Sequence, residues 1–135
     1  EKLNKRAKEL GIEDEVKVLG RRPDVPQLLA IADLFVYPSY FEGLPGALIE
    51  AMLSEKMIVC SDIPENMECV NEDSAIIFER GNVQELTKKV LEVMGNEAKY
   101  KKLGEKAREI AVNKFDIDQI AQEYEKTYNK LISVN

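Results

Sequence analysis

Glu42 and Glu50 are the residues in this chain whose types and spacing could do chemistry. Seven residues separate them, and the stretch between reads Gly43-Leu44-Pro45-Gly46-Ala47-Leu48-Ile49, with Phe41 just ahead. Pro45 suits the first position of a helix, where its missing N–H costs nothing. Gly43 lets the backbone come close to a ligand. The amides of Gly43, Leu44, Gly46 and Ala47 should therefore be largely free of helical partners. A free helix start beside a glycine loop favours negative charge through its amides and its dipole. A phosphate or diphosphate could dock there; a plain tight helix start is the alternative.

Glu50 is the sole charge from residue 44 to residue 53. Such a Glu lies either on a narrow solvated stripe or buried against a partner. Unpaired burial of a carboxylate is comparable in cost to the whole stability margin of a domain, and a pair of ligand hydroxyls would be a suitable partner. Glu50 sits five residues past Pro45, which is ~7.5 Å along a helix axis. Phosphate at the helix start and a hydroxyl pair at Glu50 are thus compatible, and the stripe and the site stand even. Glu42 is either an exposed loop acid or a group that bonds a substrate hydroxyl or supports positive charge at a reacting sugar carbon. Arg21 and Arg22, after Gly20, are a solvated pair or face an anion.

The elements that must hold these residues alternate. Four short apolar runs lie at residues 16–19, 34–37, 57–60 and 75–78, and the last three are continuous. Continuous runs mark strands covered on both faces, as in parallel sheets. Helical spacing occupies residues 1–10, 24–32 and 45–54 between them. This is the pattern of βαβ units and predicts an α/β fold with a Rossmann-like open parallel sheet. Residues 83–94 and 97–112 read as helices broken at Gly95-Asn96, and Asp116 opens a last helix to about residue 132. Asp116 with Gln119 has capping-box spacing. This helical tail is expected to pack on the sheet. Open α/β sheets bind ligands at the carboxyl ends of their strands, which selects residues 20–24, 38–46, 61–66 and 79–81. Of these, 61–66 is a polar, Pro-containing loop that leads to Glu68 in a short helical stretch.

Composition narrows the chemistry. The 135 residues suit one domain, and the formal net charge of −6 argues against nucleic acid as a partner. No run approaches the ~20 apolar residues of a membrane span. Histidine is absent, which removes Ser-His-Asp and Cys-His catalysis and most zinc sites. Cys60 and Cys69 form no CxxC pair and read as reduced and cytoplasmic. The chain begins at Glu1 with helix-like sequence, which suggests a segment of something longer.

The string PSYFEGLPGALIEAM resembles the Glu-x7-Glu signature of the group 1 glycosyltransferases, retaining enzymes with the two-domain GT-B fold that use nucleotide sugars. Residues 16–35, 57–68 and the last helix after Phe115 also resemble that family. The resemblance implies that Glu42 contacts the donor sugar and supports the transferring centre, and that Glu50 binds the nucleotide's ribose hydroxyls. It gives the amides near Gly43 and Leu44 the distal phosphate, with Phe41 in the same donor segment, and sets Gly20 and Arg21 at the turn flanking the base. The implied donor is a UDP- or GDP-sugar, without a metal or other cofactor, and the implied acceptor is a glycan or lipid. Polysaccharide assembly at the inner face of a bacterial membrane, with peripheral attachment of the full protein, is implied in the same way.

There are departures from the family pattern. Glu55-Lys56-Met57 replaces a frequent Gly-x-Pro, Pro64-Glu65-Asn66 replaces a glycine pair, and Ala75 stands where glycine is common. The family's basic diphosphate clamp, its first strands and its acceptor domain lie on segments this chain does not contain. Residues 1–135 are thus expected to be one incomplete donor-binding domain, inactive alone, with apolar edges that favour self-association. The rival is a non-catalytic nucleotide-binding or scaffold module of the same fold. A dehydrogenase-type domain is weaker, because no GxGxxG follows a strand.

Overall fold

Three of the four apolar runs become strands. The computed structural model describes residues 2–133. In it β1 is Leu34–Tyr37, β2 is Met57–Ser61 and β3 is Ile76–Phe78. They form a parallel sheet in the order β1-β2-β3, with Val36 opposite Val59 and Val59 opposite Ile76. The helices are α1 (Lys2–Glu9), α2 (Val25–Ile31), α3 (Gly46–Leu53), α4 (Pro64–Cys69), α5 (Val83–Met94), α6 (Glu97–Lys114) and α7 (Ile117–Ile132). The first residue of the expected 1–10 helix lies outside the described residues.

The continuous apolar runs follow from coverage on both faces. On one face Ile58 and Cys60 pack against Leu48, Ala51 and Met52 of α3 and Ala107 and Ala111 of α6. On the other, Val59, Ile76 and Phe78 meet Val93 of α5. Each large apolar side chain withdrawn from water this way contributes about 1.5–3 kcal/mol. Cys60 and Cys69 are free thiols inside this core. Burial pushes the Cys60 thiol up to about 12, so it acts as a small apolar residue rather than a nucleophile.

Residues 16–19 do not form the expected strand. They have no regular structure, and Val16, Val18 and Leu19 are exposed. An apolar run becomes a strand only where a neighbour satisfies its backbone groups. Here β1 is paired on one side, by β2, and its other edge is open among the described residues. The tail departs from expectation as well. Helices α5 and α6 pack on the sheet, but α7 has no buried residue, and Ile117, Tyr124, Tyr128, Leu131 and Ile132 are exposed. Its start is as read: the Asp116 side chain accepts from the Gln119 amide at 2.9 Å. This is one half of the capping box, and no return bond from Gln119 is present among the described residues.

The turn between α3 and β2 has Glu55 at the place where the resemblance would put a glycine. Glu55 has φ of 55°, a left-handed conformation that costs a non-glycine residue roughly 1–2 kcal/mol. Helix α6 holds it in place. Arg108 Nη1 donates to the Leu53 carbonyl at 2.8 Å, and its Nε lies 3.5 Å from Glu55 Oε1. Gly104 of α6 is the point of closest approach, where a Cβ would lie 2.4 Å from the Glu55 carbonyl oxygen. Gly104→Ala is therefore expected to destabilise the fold by about 1–3 kcal/mol through overpacking, measured as a lower denaturant midpoint. An unchanged midpoint would contradict this contact.

Candidate functional site

The loops leaving the carboxyl ends of the three strands share one edge of the sheet. The loop after β1 carries Glu42 and ends at Pro45, which is buried and is the N-cap of α3 rather than its first helical residue. Its missing N–H is as harmless there as at the first helical position. The Gly46 amide is not free, since it donates to the Leu44 carbonyl at 2.8 Å. Four candidate anion-binding amides thus become three. Gly43, Leu44 and Ala47 are exposed, and their amides have no hydrogen-bond partner among the described residues. A Cβ on Gly43 would meet nothing within 4 Å. The chain itself therefore leaves open the space that glycine keeps free.

Glu42 is half-buried and held. Ser39 Oγ donates to Glu42 Oε1 at 2.6 Å. That bond, joined by one from the Tyr37 hydroxyl, keeps the Glu42 carboxyl below its usual range. The Tyr37 phenol is pushed up to about 12, first by burial and then by its bond to Glu42. Both effects favour Glu42 as a carboxylate, with Ser39 Oγ as its geometric donor, not as a proton donor at neutral pH.

Glu50 lies on the solvated stripe of α3. Leu48, Ala51 and Met52 are each 0% exposed on the opposite side, while Glu50 is exposed. Exposure spares it a desolvation cost. Phe41 and Leu44, on the loop before α3, are 78% and 71% exposed, and Tyr40 is exposed as well. Contiguous exposed apolar groups mark a contact surface more often than chance.

Among the described residues no hydrogen bond joins residues 20–22 to the Glu42 loop. Gly20 takes φ of 66°, a turn that glycine makes without strain. Arg21 is exposed and has no ion-pair partner among the described residues. Arg22 takes neither of the two expected settings, a solvated pair or an anion, because both ends of its fork bind Asp24, with Nε 2.7 Å from Oδ1. A carboxylate two residues along satisfies the guanidinium fork.

Within the segments 61–66 and 79–81, which the sequence selects only as loops, the structure gives individual residues definite partners. Ser61 Oγ donates to the Ser39 carbonyl at 2.6 Å, linking β2 to the Glu42 loop. Asp62 and Arg80 tie the next two loops: the Arg80 amide donates to Asp62 Oδ1 at 2.8 Å and Arg80 Nη1 reaches the Tyr40 carbonyl at 3.5 Å. Gly81, with φ of 82°, lets the Tyr40 ring come close. Residues 62–64 with Glu79 and Arg80 line a cavity of about 380 Å³. A larger one, about 460 Å³, lies at the amino end of β3 between α5 and α6. The carboxyl ends are the functional edge of an open parallel sheet, so that larger cavity is set aside. Among the described residues no group of three or more His, Cys, Asp or Glu is arranged to hold a metal ion.

Residues 1–110 match the family described as glycosyl transferases group 1. The chain belongs to that family. It is 34% identical over 118 residues to N,N'-diacetylbacillosaminyl-diphospho-undecaprenol alpha-1,3-N-acetylgalactosaminyltransferase of Campylobacter jejuni, covering 87% of this chain and 31% of that protein. It is 30% identical to N-acetyl-alpha-D-glucosaminyl L-malate synthase of Bacillus anthracis, covering 90% of this chain and 32% of the other. Among solved structures it resembles Anabaena Alr3699/HepE in complex with UDP, with a TM-score of 0.89 and 30% identity over 96% of this chain and 36% of that one. The chain thus spans about a third of the length of these relatives.

The Ser39 bond gives a direct test of the site's electrostatics. A carboxyl held below its unfolded value contributes stability that is present above the unfolded pKa and lost as pH falls through the folded pKa. Ser39→Ala should raise the titration midpoint of the Glu42 carboxyl, read by carbon NMR, and narrow the acid range over which the native state holds. A midpoint that stays low without Ser39 would show that another group sets it.

Proposed function

We propose that this chain is the donor-binding part of a retaining glycosyltransferase that takes a hexosyl unit from a nucleoside diphosphate sugar and passes it to a glycan or lipid acceptor. The observation that carries this reading is Glu42, aimed by Ser39 as a carboxylate, ahead of the open amides of Gly43, Leu44 and Ala47 and the exposed Glu50. The diphosphate would take the amides at the start of α3, where backbone dipoles favour negative charge. Glu50, about one and a half turns on, would take the ribose hydroxyls. Glu42 would meet the donor sugar and support positive charge at its reacting carbon as the diphosphate departs. Gly20 and Arg21 would flank the base, and Phe41 would border the sugar.

A uridine donor is supported by the likeness to a protein solved with UDP and with UDP-glucose, and a GDP-sugar is the alternative. The acceptor belongs to parts of the enzyme beyond this domain. The reading treats residues 1–135 as an incomplete donor domain, with charge neutralised by amides and basic groups rather than by a metal. Relatives named for capsular polysaccharide and O-antigen synthesis support a place in polysaccharide assembly, at the cytoplasmic face of the membrane. Peripheral attachment of the full protein there belongs to the same reading; no helix among the described residues is long and apolar enough to cross a membrane. The open edge of β1 and the exposed stripe of α7 would carry contacts to the rest of the enzyme, or self-association of this domain alone.

Glu42→Gln keeps the shape of the side chain and removes its charge. In the full-length enzyme it should lower kcat about a hundredfold or more, the scale of losing one electrostatic partner of the transition state, with the thermal midpoint nearly unchanged. Turnover that survives Glu42→Gln would turn the reading toward a nucleotide-binding module without this chemistry.

A further inference from the structure

The hydrogen bonds that end on Glu42 begin in the protein interior. Asn66 on α4 is 0% exposed, and Ser61 at the end of β2 is 1% exposed. Asn66 Nδ2 donates to the Ser61 carbonyl at 3.0 Å and to Ser61 Oγ at 3.3 Å. A carbonyl only accepts, so the amide nitrogen must be the atom that faces it. With Oγ accepting from Asn66, the Ser61 hydroxyl directs its own proton to the Ser39 carbonyl, 2.6 Å away. Ser39 Oγ then donates to Glu42 Oε1, also at 2.6 Å. The direction of every bond is set from the inside outward.

The amide of Asn66 has a cost that packing alone does not explain. Its Oδ1 is buried without a partner among the described residues, and an unpaired buried acceptor destabilises the fold relative to an apolar group of the same shape. Its donor side is what remains, and both of those bonds go to Ser61.

We propose that Ser61 and Asn66 are positioning residues for Glu42: Asn66 orients the Ser61 hydroxyl, which pins the Ser39 carbonyl and so sets the Ser39 hydroxyl against the Glu42 carboxylate. Neither is placed to touch a ligand, since both are buried. Their importance for turnover rests on the donor-sugar role proposed for Glu42; the geometry itself does not. Each donor in this series has its acceptor, and a reacting group needs such support beneath it.

The test is the titration of the Glu42 carboxyl by carbon NMR, with Tyr37 as the other titratable group bonded to it. Ser61→Ala removes one hydroxyl and adds no volume. The Glu42 midpoint should rise, by less than in Ser39→Ala, while Ser61→Thr, which keeps the hydroxyl, should hold it near the unmodified value. A midpoint unmoved in Ser61→Ala overturns the proposal. So does one that moves as far in Ser61→Thr, because volume and not the hydroxyl would then be the cause. In the unmodified protein the Ser61 hydroxyl proton should exchange slowly enough to be observed, a reading that depends on no variant folding. A Ser61 hydroxyl in fast exchange with water overturns the proposal equally. None of these readings needs a bound donor. A chain whose Glu42 responds as stated but that binds no nucleotide would keep this relay and lose the transferase reading.

Discussion

Parallel pairing of β1, β2 and β3 is the constraint on which the candidate site depends. Parallel strands release all their following loops at the same edge, so residues far apart in sequence meet there. Ser39 follows β1 and Ser61 ends β2, yet the Ser61 hydroxyl reaches the Ser39 carbonyl at 2.6 Å. Asp62 and Arg80, after β2 and β3, meet in the same way. Neither contact could form if one strand ran the other way. The sheet in turn depends on its two covered faces, because Ile58, Val59 and Cys60 of β2 are all fully buried. The apolar core therefore fixes the edge, and the edge fixes the carboxylate.

Two kinds of group share that edge and are built differently. Glu42 is restrained: a half-buried carboxylate held by the Ser39 hydroxyl, with a buried serine and asparagine behind it. Gly43, Leu44, Ala47 and Glu50 are open, with amides or oxygens turned to solvent. A site that must hold one reacting group in place while admitting a flexible anion needs both. The restrained part is made by the chain alone. The open part, its amides and the Glu50 carboxylate, has no hydrogen-bond partner among the described residues.

Much of the fold was legible because its signals are local. Continuous apolar runs at 34–37, 57–60 and 75–78 indicated two-face burial, and the helix at Val83–Met94 followed from spacing and the Gly95 break. Residues 16–19 misled because an apolar run reports what a segment can bury, not whether a neighbour is there to pair with it. The exposed stripe of α7 misled for the same reason. At the site, Glu42 and Glu50 were visible through spacing and the family string, but their environments were not. Whether Glu50 was buried depended on which side of α3 met the sheet. Asn66 looked like an ordinary loop residue, since only tertiary packing buries it. For Arg22 the sequence weighed a solvated pair against an anion, and the bond to Asp24 two residues on was not considered. Glu55 was noted as a departure at a turn, and its backbone there is left-handed.

The central claim is that the open amides at the start of α3 and the Glu50 carboxylate together receive a nucleoside diphosphate. An amide NMR titration with UDP and with GDP, repeated with Glu50→Ala, tests it most directly. The account predicts shifts concentrated at Gly43, Leu44, Ala47 and Glu50 with one of the two nucleotides, and weaker binding in the variant. Shifts gathered elsewhere, or binding that Glu50→Ala leaves unchanged, would contradict it.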